Sequence, residues 1–127
     1  MGRKRSATLT DGELRLMRVL WSRGASTVAD VMDNLGARRS PAYNTVQTMM
    51  RILEAKGYVQ HRKVGRAFVF EPLIDESQAR RSALRYVLDR FFDNSPHTLV
   101  LSLLEDRQVD RKELAELQDL VGRREGR

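Results

Sequence analysis

Residues 42–57 read AYNTVQTMMRILEAKG, and this stretch decides the fold. Its apolar residues recur three and four positions apart, the spacing of one face of an α-helix. Gly57 is the residue type that most often ends a helix in the left-handed conformation. The stretch therefore predicts an amphipathic helix over residues 42–56, with an inward side made of Val46, Met49, Met50 and Leu53.

The opposite side of this helix is rich in groups that both donate and accept hydrogen bonds. Asn and Gln can pair with adenine, Arg with guanine, and the Thr methyl group can contact the methyl group of thymine. An ordinary solvated face is the alternative, but Glu, Lys and Ala form helices better and are more usual there. We therefore expect contacts with DNA bases from Asn44, Thr45, Gln47, Thr48 and Arg51.

Two shorter helices are predicted before this one. Thr10 and Glu13 have the spacing of a capping box, so a first helix is expected over residues 11–22. Gly24 is its expected end. Ser26 or Thr27 can cap a second, short helix that ends near Gly36. Three helices in succession, with a polar turn at residues 37–41, are typical of a helix-turn-helix unit.

A β-hairpin is predicted after the third helix. Residues 58–61 and 67–70 have strand character, and the basic turn between them (62–66) contains Gly65. Pro72 is expected to break the second strand. Three helices followed by a hairpin with a basic tip form the arrangement of a winged helix-turn-helix, in which the third helix enters the major groove of DNA.

Cationic and hydroxyl side chains lie at both ends of this predicted DNA-binding surface. Those before the third helix stand where its positive end attracts phosphate, and those on the hairpin can reach the flanking backbone. Tyr43 could bind a phosphate or pack beneath the turn, and both readings stay open. The expected backbone contacts are Arg38, Arg39, Ser40, Tyr43, Arg62, Lys63 and Arg66.

Helical patterns fill the rest of the chain. Asp75, Asn94 and Asp110 lie near the predicted ends of three helices with apolar stripes. These stripes hold more large apolar residues than 53 residues can bury alone, so we expect a homodimer. The expected contacts are Leu84, Val87, Leu88, Phe91, Phe92, Leu99, Leu103, Leu114, Leu117 and Leu120.

The predicted fold is mainly α with a small β-hairpin, a winged helix over residues 1–74 followed by a three-helix dimerisation domain over residues 75–127. The charge follows the same division. Residues 1–74 contain 13 basic and 6 acidic side chains, a net charge of +7, whereas residues 75–127 contain 10 and 11, a net charge of −1. The first part is therefore expected to meet a polyanion.

The composition also argues against other classes of protein. The 127 residues include no cysteine and no apolar run of membrane-spanning length, and no secretory signal pattern follows the basic start. His61 and His97 lack companions at the spacing of a metal site or a catalytic triad. We expect a cytoplasmic protein that is not an enzyme, has no metal or other cofactor, and does not insert into a membrane.

Seven stretches in order give the sequence a resemblance to the penicillinase-repressor family of winged-helix regulators, the BlaI/MecI/CopY group. They are LTDGE (9–13), VLW (19–21), TVADV (27–31), AYNTVQTMMRIL (42–53), KG (56–57), GR (65–66) and FEP (70–72). The resemblance implies an N-terminal DNA-binding domain, a C-terminal three-helix dimerisation domain, and repression of a neighbouring operon through an inverted-repeat operator.

The resemblance also implies routes by which repression is relieved. In penicillinase-type members a membrane sensor system or protease causes cleavage within the C-terminal domain. The scissile Asn-Phe pair of the family falls on Ser102-Leu103 here, so the candidate proteolysis region departs from the pattern at the bond itself. Copper-responsive members use C-terminal cysteines, which this chain lacks.

Two other functions remain as alternatives. A winged-helix regulator of another family would respond to a small ligand held in a pocket, and a winged helix can also serve only for protein interaction. The hydrogen-bonding outward face of the third helix favours DNA over a protein partner.

Overall fold

The structure is a computed structural model that describes residues 8–36, 41–106 and 110–125. Within these ranges the predicted mainly helical winged fold is confirmed. The elements are α1 (Asp11–Arg23), β1 (Ser26–Thr27), α2 (Val28–Asp33), α3 (Tyr43–Lys56), β2 (Val59–Val64), β3 (Ala67–Pro72), α4 (Glu76–Phe91), α5 (Pro96–Glu105) and α6 (Arg111–Glu125).

The predicted ends of α1 are confirmed. The backbone N–H of Glu13 donates to Thr10 Oγ1 (3.1 Å), and the backbone N–H of Thr10 donates to Glu13 Oε1 (2.8 Å). This capping box satisfies two groups that the first helical turn leaves without partners. Gly24 follows the helix with a φ of +87°, and its N–H donates to the carbonyl of Leu20. Local side-chain chemistry thus sets both ends of the helix.

A second capping box starts α2. Thr27 Oγ1 accepts from the backbone N–H of Asp30, and Asp30 Oδ2 accepts from that of Thr27, each at 3.1 Å. These bonds lower the pKa of Asp30. Thr27 also belongs to β1, a strand that the sequence did not predict. β1 pairs antiparallel with β3 and places Ser26 opposite Phe70. The sheet therefore has three strands in the order β1-β3-β2.

The hairpin is longer than predicted, because the basic residues expected in its turn belong to the strand. Arg62, Lys63 and Val64 all lie in β2, and the turn is formed by Gly65 and Arg66 alone. Pro72 does not break β3 but is its last residue, opposite Val59. β1 pairs only with residues 69–70 of β3. Beside Pro72, the edge of β3 toward β1 therefore has no partner strand, and no hydrogen bond there needs the N–H that proline lacks.

One hydrophobic core joins α1, α2, α3 and the sheet. Its buried members are Leu16, Met17, Val19, Leu20, Val28, Val31, Leu35, Val46, Met50, Leu53, Tyr58, Val59, Phe70 and Ile74. Trp21 Nε1 donates to the carbonyl of Ile74 (3.0 Å), and Ala79 of α4 packs against the same core. The first compact unit therefore extends into α4 as far as Leu84, beyond the expected boundary at residue 74.

The second compact unit begins at Arg85 and contains the end of α4 with α5 and α6. Ser95 caps α5, accepting from the backbone N–H of Thr98, and Asp110 caps α6 by accepting from that of Glu113. Of the side chains described in residues 85–124, none is buried. In the described parts of the chain, every helix is too short or too polar to cross a bilayer.

Candidate nucleic-acid interface

The third helix, α3, is held by its inward side. Val46, Met50 and Leu53 have no exposed surface, and Met49 packs on the core beside them. Side chains at three- and four-residue spacing share a face, so this burial turns the other side of the helix outward. The C-terminal end is fixed by Gly57, whose φ of +90° places it in the left-handed region, as predicted.

A partly buried ion pair also holds α3 in place. Lys56 Nζ lies 2.7 Å from Glu13 Oε1, and only 6% of the Glu13 side chain is exposed. Burial alone would raise the pKa of Glu13, but hydrogen bonds from Lys56 and from the Thr10 backbone outweigh it and lower the pKa. The carboxylate therefore stays charged at neutral pH and ties α3 to the first turn of α1.

The structure brings the predicted base-contact residues together on the outward side of α3. Asn44, Thr45, Thr48 and Arg51 are exposed, and Gln47 is half-buried. Gln47 differs because its side of the helix faces the hairpin. The group as a whole forms a continuous polar surface on a helix whose backbone is fixed.

Gln47, Arg51 and Glu54 follow one another at i, i+4 and i+7, so they form a stripe along α3. This stripe borders a cleft of about 230 Å³ between α3 and the hairpin, which we call the helix–wing cleft. Its lining residues are Gln47, Arg51, Glu54, His61, Phe68 and Phe70. Two of the predicted base-contact residues therefore lie next to the wing.

A contact that the sequence did not predict crosses the helix–wing cleft. His61 Nδ1 lies 2.7 Å and 2.8 Å from the two carboxylate oxygens of Glu54. The imidazole also packs edge-on to the ring of Phe68, with 5.1 Å between centroids, and lies 5.6 Å from that of Phe70. His61 thus has a companion, found seven positions earlier in the chain on a different element. The i, i+4, i+7 stripe places Glu54 on the face toward the cleft, but no sequence signal indicates its contact with His61.

Alternation along β2 separates its cationic side chains. Successive residues of a strand point to opposite sides of the sheet, so Lys63 shares the side of His61, toward α3, and Arg62 lies on the other side. Both are exposed, as is Arg66 in the turn. The structure therefore brings Lys63, but not Arg62, to the α3 side of the wing.

A second cleft, of about 260 Å³, joins the start of α3 to the wing turn. Its lining residues are Thr27, Val28, Ala29, Tyr43, Gln47, Arg66, Ala67 and Phe68. Tyr43 is 49% exposed and shares this cleft with Arg66. Tyr43 and Arg66, which are predicted to contact the DNA backbone, thus lie beside Gln47. The predicted contacts at Arg38, Arg39 and Ser40 lie outside the described residues.

The predicted dimer contacts all lie on α4, α5 and α6 or directly after them. Those with the greatest exposure are Leu84, Phe91, Leu103, Leu117 and Leu120, at 39–70%. Val87, Leu88, Phe92, Leu99 and Leu114 are half-buried. The candidate proteolysis pair lies inside α5, with Ser102 half-buried and Leu103 exposed.

The first unit also contains an apolar cavity of about 260 Å³ between α1 and the start of α4. Its lining residues are Leu9, Leu14, Arg18, Trp21, Tyr58, Glu76, Ala79, Arg80 and Ala83. The described residues bring no three His, Asp or Glu side chains together in the manner of metal ligands.

Comparison with known proteins agrees with this geometry. A sequence model described as penicillinase repressor matches residues 9–123. The penicillinase repressor of Bacillus licheniformis is 32% identical over 118 residues, which cover 93% of this chain and 92% of that protein. The methicillin resistance regulatory protein MecI of Staphylococcus aureus (strain N315) is 17% identical over 116 residues, covering 91% and 94%.

A solved structure resembles the first part of the chain. The solution structure of the DNA-binding domain of the repressor BlaI superposes with a TM-score of 0.52 and 36% identity, covering 59% of this chain and 92% of that domain. The family match spans nearly the whole chain and the structural match supports the winged fold. The chain therefore belongs to the penicillinase repressor family, a family of DNA-binding transcriptional repressors and not of enzymes.

Proposed function

We propose that the chain represses transcription as a homodimer that reads an inverted-repeat operator, with α3 in the major groove and the wing on the flanking backbone. The observation that carries this proposal is the outward face of α3, a fixed helix surface of exposed hydrogen-bonding side chains beside a basic hairpin. A helix of this kind fits the width of the major groove.

The base contacts in this proposal come from one side of α3. Arg51 is suited to guanine, Asn44 and Gln47 to adenine, and the threonines to thymine methyl groups or hydroxyl-mediated bonds. We assign direct reading of the operator to Asn44, Thr45, Gln47, Thr48 and Arg51.

The backbone contacts flank that helix. Cations and N–H groups that meet phosphate fix the register of a protein on DNA without selecting sequence. We assign this role to Arg38, Arg39, Ser40, Tyr43, Lys63 and Arg66, and a weaker one to Arg62, which lies on the other side of β2. The shared cleft of Tyr43 and Arg66 supports a common line of contact.

The dimer is proposed because the second unit buries no described side chain in a single copy. Phe91 is 70% exposed and Leu120 is 53% exposed, on helices whose first turns are capped by Asp75 and Asp110. A second copy provides the matching surface, through Leu84, Val87, Leu88, Phe91, Phe92, Leu99, Leu103, Leu114, Leu117 and Leu120. Twofold symmetry then places two copies of α3 about 34 Å apart, in successive major grooves.

We place the protein in the cytoplasm, with operator DNA and a second copy of itself as partners. Relief of repression follows from separating the two copies, because the second half-site then loses its effective-concentration advantage, a factor of roughly 10²–10⁴. A membrane sensor or protease could supply that signal. Ser102 and Leu103 mark the candidate region, although their identities differ from the Asn-Phe pair of the family.

A gel-shift titration tests the proposal. The full chain is titrated against the DNA upstream of its own gene, with random duplex as competitor, at several salt concentrations. A discrete complex that persists in competitor, with a symmetric footprint, supports the operator-binding dimer. Equal loss to random DNA, or no complex, overturns it in favour of a winged helix for protein interaction. Release by a small apolar ligand would instead favour the α1–α4 cavity as a sensor.

A further inference from the structure

We propose that Glu54 and His61 form a pH-sensitive charge pair between α3 and the wing, and that protonation of His61 strengthens operator binding. In its protonated form His61 cancels the negative charge that Glu54 places beside the DNA-reading side chains. The inference rests on the proposed function, because it assumes that the helix–wing cleft faces DNA.

The geometry of the pair is specific. The Nδ1 atom of His61 is within 2.8 Å of both carboxylate oxygens of Glu54, and the ring is held on its other sides by Phe68 and Phe70. The side chains are 41% and 33% exposed, so the pair lies at the surface rather than in the core. A change in its charge is therefore felt by anything that docks on the cleft.

The other charged groups around the pair are cationic. Arg51 lines the cleft from α3, one turn before Glu54, and Lys63 lies two residues after His61 on the same side of β2. The residues of β3 that pack on the imidazole are Phe68 and Phe70, which carry no charge. Of the described residues lining the cleft, Glu54 alone is acidic. DNA phosphates would approach an otherwise positive surface with one negative charge in it.

Deprotonation of His61 changes the charge of the pair more than its shape. A neutral imidazole with its proton on Nδ1 still donates to the carboxylate of Glu54. The link between α3 and the wing is thus kept, while the net charge of the pair goes from zero to −1. Histidine is the side chain that ordinarily changes charge between pH 5 and 8. Binding to a polyanion must therefore weaken when His61 loses its proton.

The expected size of the pH effect on DNA binding follows from counterion release. Each phosphate neutralised by a protein charge contributes about 0.9 to the slope of log affinity against log salt. We expect the wild-type slope to be shallower at pH 8 than at pH 6 by up to about that amount, and the affinity to be lower by about threefold to tenfold.

The test measures the dissociation constant by fluorescence anisotropy at pH 6 and pH 8. The probe is the duplex that the full chain selects from a random-sequence library at pH 6. The variants are His61→Gln, Glu54→Gln and His97→Gln, the last being a matched control because His97 is the other histidine of the chain and lies in the second unit. Thermal unfolding of each variant checks that it is folded.

Three results are expected. His61→Gln loses the pH dependence and binds at both pH values as the wild type does at pH 8. Glu54→Gln binds more tightly than the wild type at pH 8, because its negative charge is gone. His97→Gln behaves as the wild type.

The outcome for Glu54→Gln distinguishes an electrostatic role of the Glu54–His61 pair from a purely structural one. If the pair served only to hold the wing, that variant would bind at pH 8 no more tightly than the wild type, because the Gln oxygen still accepts from His61 Nδ1. This result overturns the inference, as does pH dependence that persists in His61→Gln. A wild type with no sequence-specific binding at any pH overturns the proposed function itself, and the inference with it.

Discussion

Lys56 Nζ lies 2.7 Å from Glu13 Oε1, so the last residue of α3 is tied to the first turn of α1 across 43 positions of sequence. Glu13 serves twice, since the same Oε1 atom accepts the N–H of Thr10 in the capping box. One carboxylate therefore takes part in the cap of α1 and also ties the end of α3 to that first turn.

The first prediction is that Glu13→Gln destabilises the protein near neutral pH and not in acid. The pKa of Glu13 is lowered in the folded state, so the stabilisation is present above its ordinary value of 4.5 and is lost as the pH falls through the lowered value. Removing one partner of a partly buried pair costs about 1–2 kcal/mol at pH 7. Urea denaturation at pH 7 and pH 3 measures the difference.

A matched control for this prediction is Glu76→Gln. Glu76 pairs with Arg80 one turn further on, at 3.3 Å, and the two side chains are 44% and 75% exposed. Such surface pairs contribute little, typically below about 1 kcal/mol. An equal loss of stability in both variants, or a loss in Glu13→Gln that does not begin to shrink as the pH falls below 4.5, would contradict the role given to Glu13.

The features that could be predicted from sequence are those with local signals. Thr10 with Glu13, and Gly57 after the third helix, act within one turn of the chain, and the structure confirms both. The features that were missed join distant residues. Ser26 meets Phe70 in the sheet, and Lys56 meets Glu13, and no spacing rule links either pair.

The candidate site also contains features that could be predicted from local signals and features that could not. The outward face of α3 follows from helical periodicity, so the exposed positions of Asn44 and Arg51 were predictable. The approach of His61 to Glu54 depends on how the hairpin packs against α3, and this angle is set by the core rather than by either segment. The length of β2 was underestimated because its basic residues suggested a turn.

The second prediction separates base reading from backbone contact. Arg51→Ala should lower affinity for the operator by about 1–3 kcal/mol and leave binding to random duplex nearly unchanged, because a guanine contact exists only at the right base. Lys63→Ala should weaken both complexes equally and reduce the salt slope by about one unit. Competition titrations at several salt concentrations measure both quantities. Equal losses on both DNAs for Arg51→Ala would refute its assignment to a base.

The third prediction compares two neighbouring cations on the wing. Lys63 shares the α3 side of β2 with His61, whereas Arg62 points to the other side of the sheet. Lys63→Ala should therefore reduce affinity for any duplex several-fold more than Arg62→Ala, although each removes one positive charge. The two variants serve as controls for each other in the same anisotropy titration. A larger loss for Arg62→Ala would place the DNA on the opposite side of the hairpin.

The fourth prediction concerns the second unit. Phe91 is 70% exposed in a single copy, and burying such a side chain contributes roughly 1.5–3 kcal/mol. Phe91→Asp removes this contribution from both copies of a symmetric interface and places a charge there. We expect the dimer to dissociate at concentrations at least about 100-fold higher than the wild type, as measured by sedimentation equilibrium.

The matched control for Phe91→Asp is Arg85→Asp, an exposed position on α4 outside the expected dimer contacts, which should leave the dimer intact. Because α3 and the wing belong to the first unit, Phe91→Asp should still bind a half-site duplex with wild-type affinity. Its affinity for the full operator should fall by roughly 10²–10⁴, the advantage of a linked second half-site. A dimer that survives Phe91→Asp, or an equal loss at half-site and full operator, would mean that the exposed stripe of α4 does not hold the two copies together.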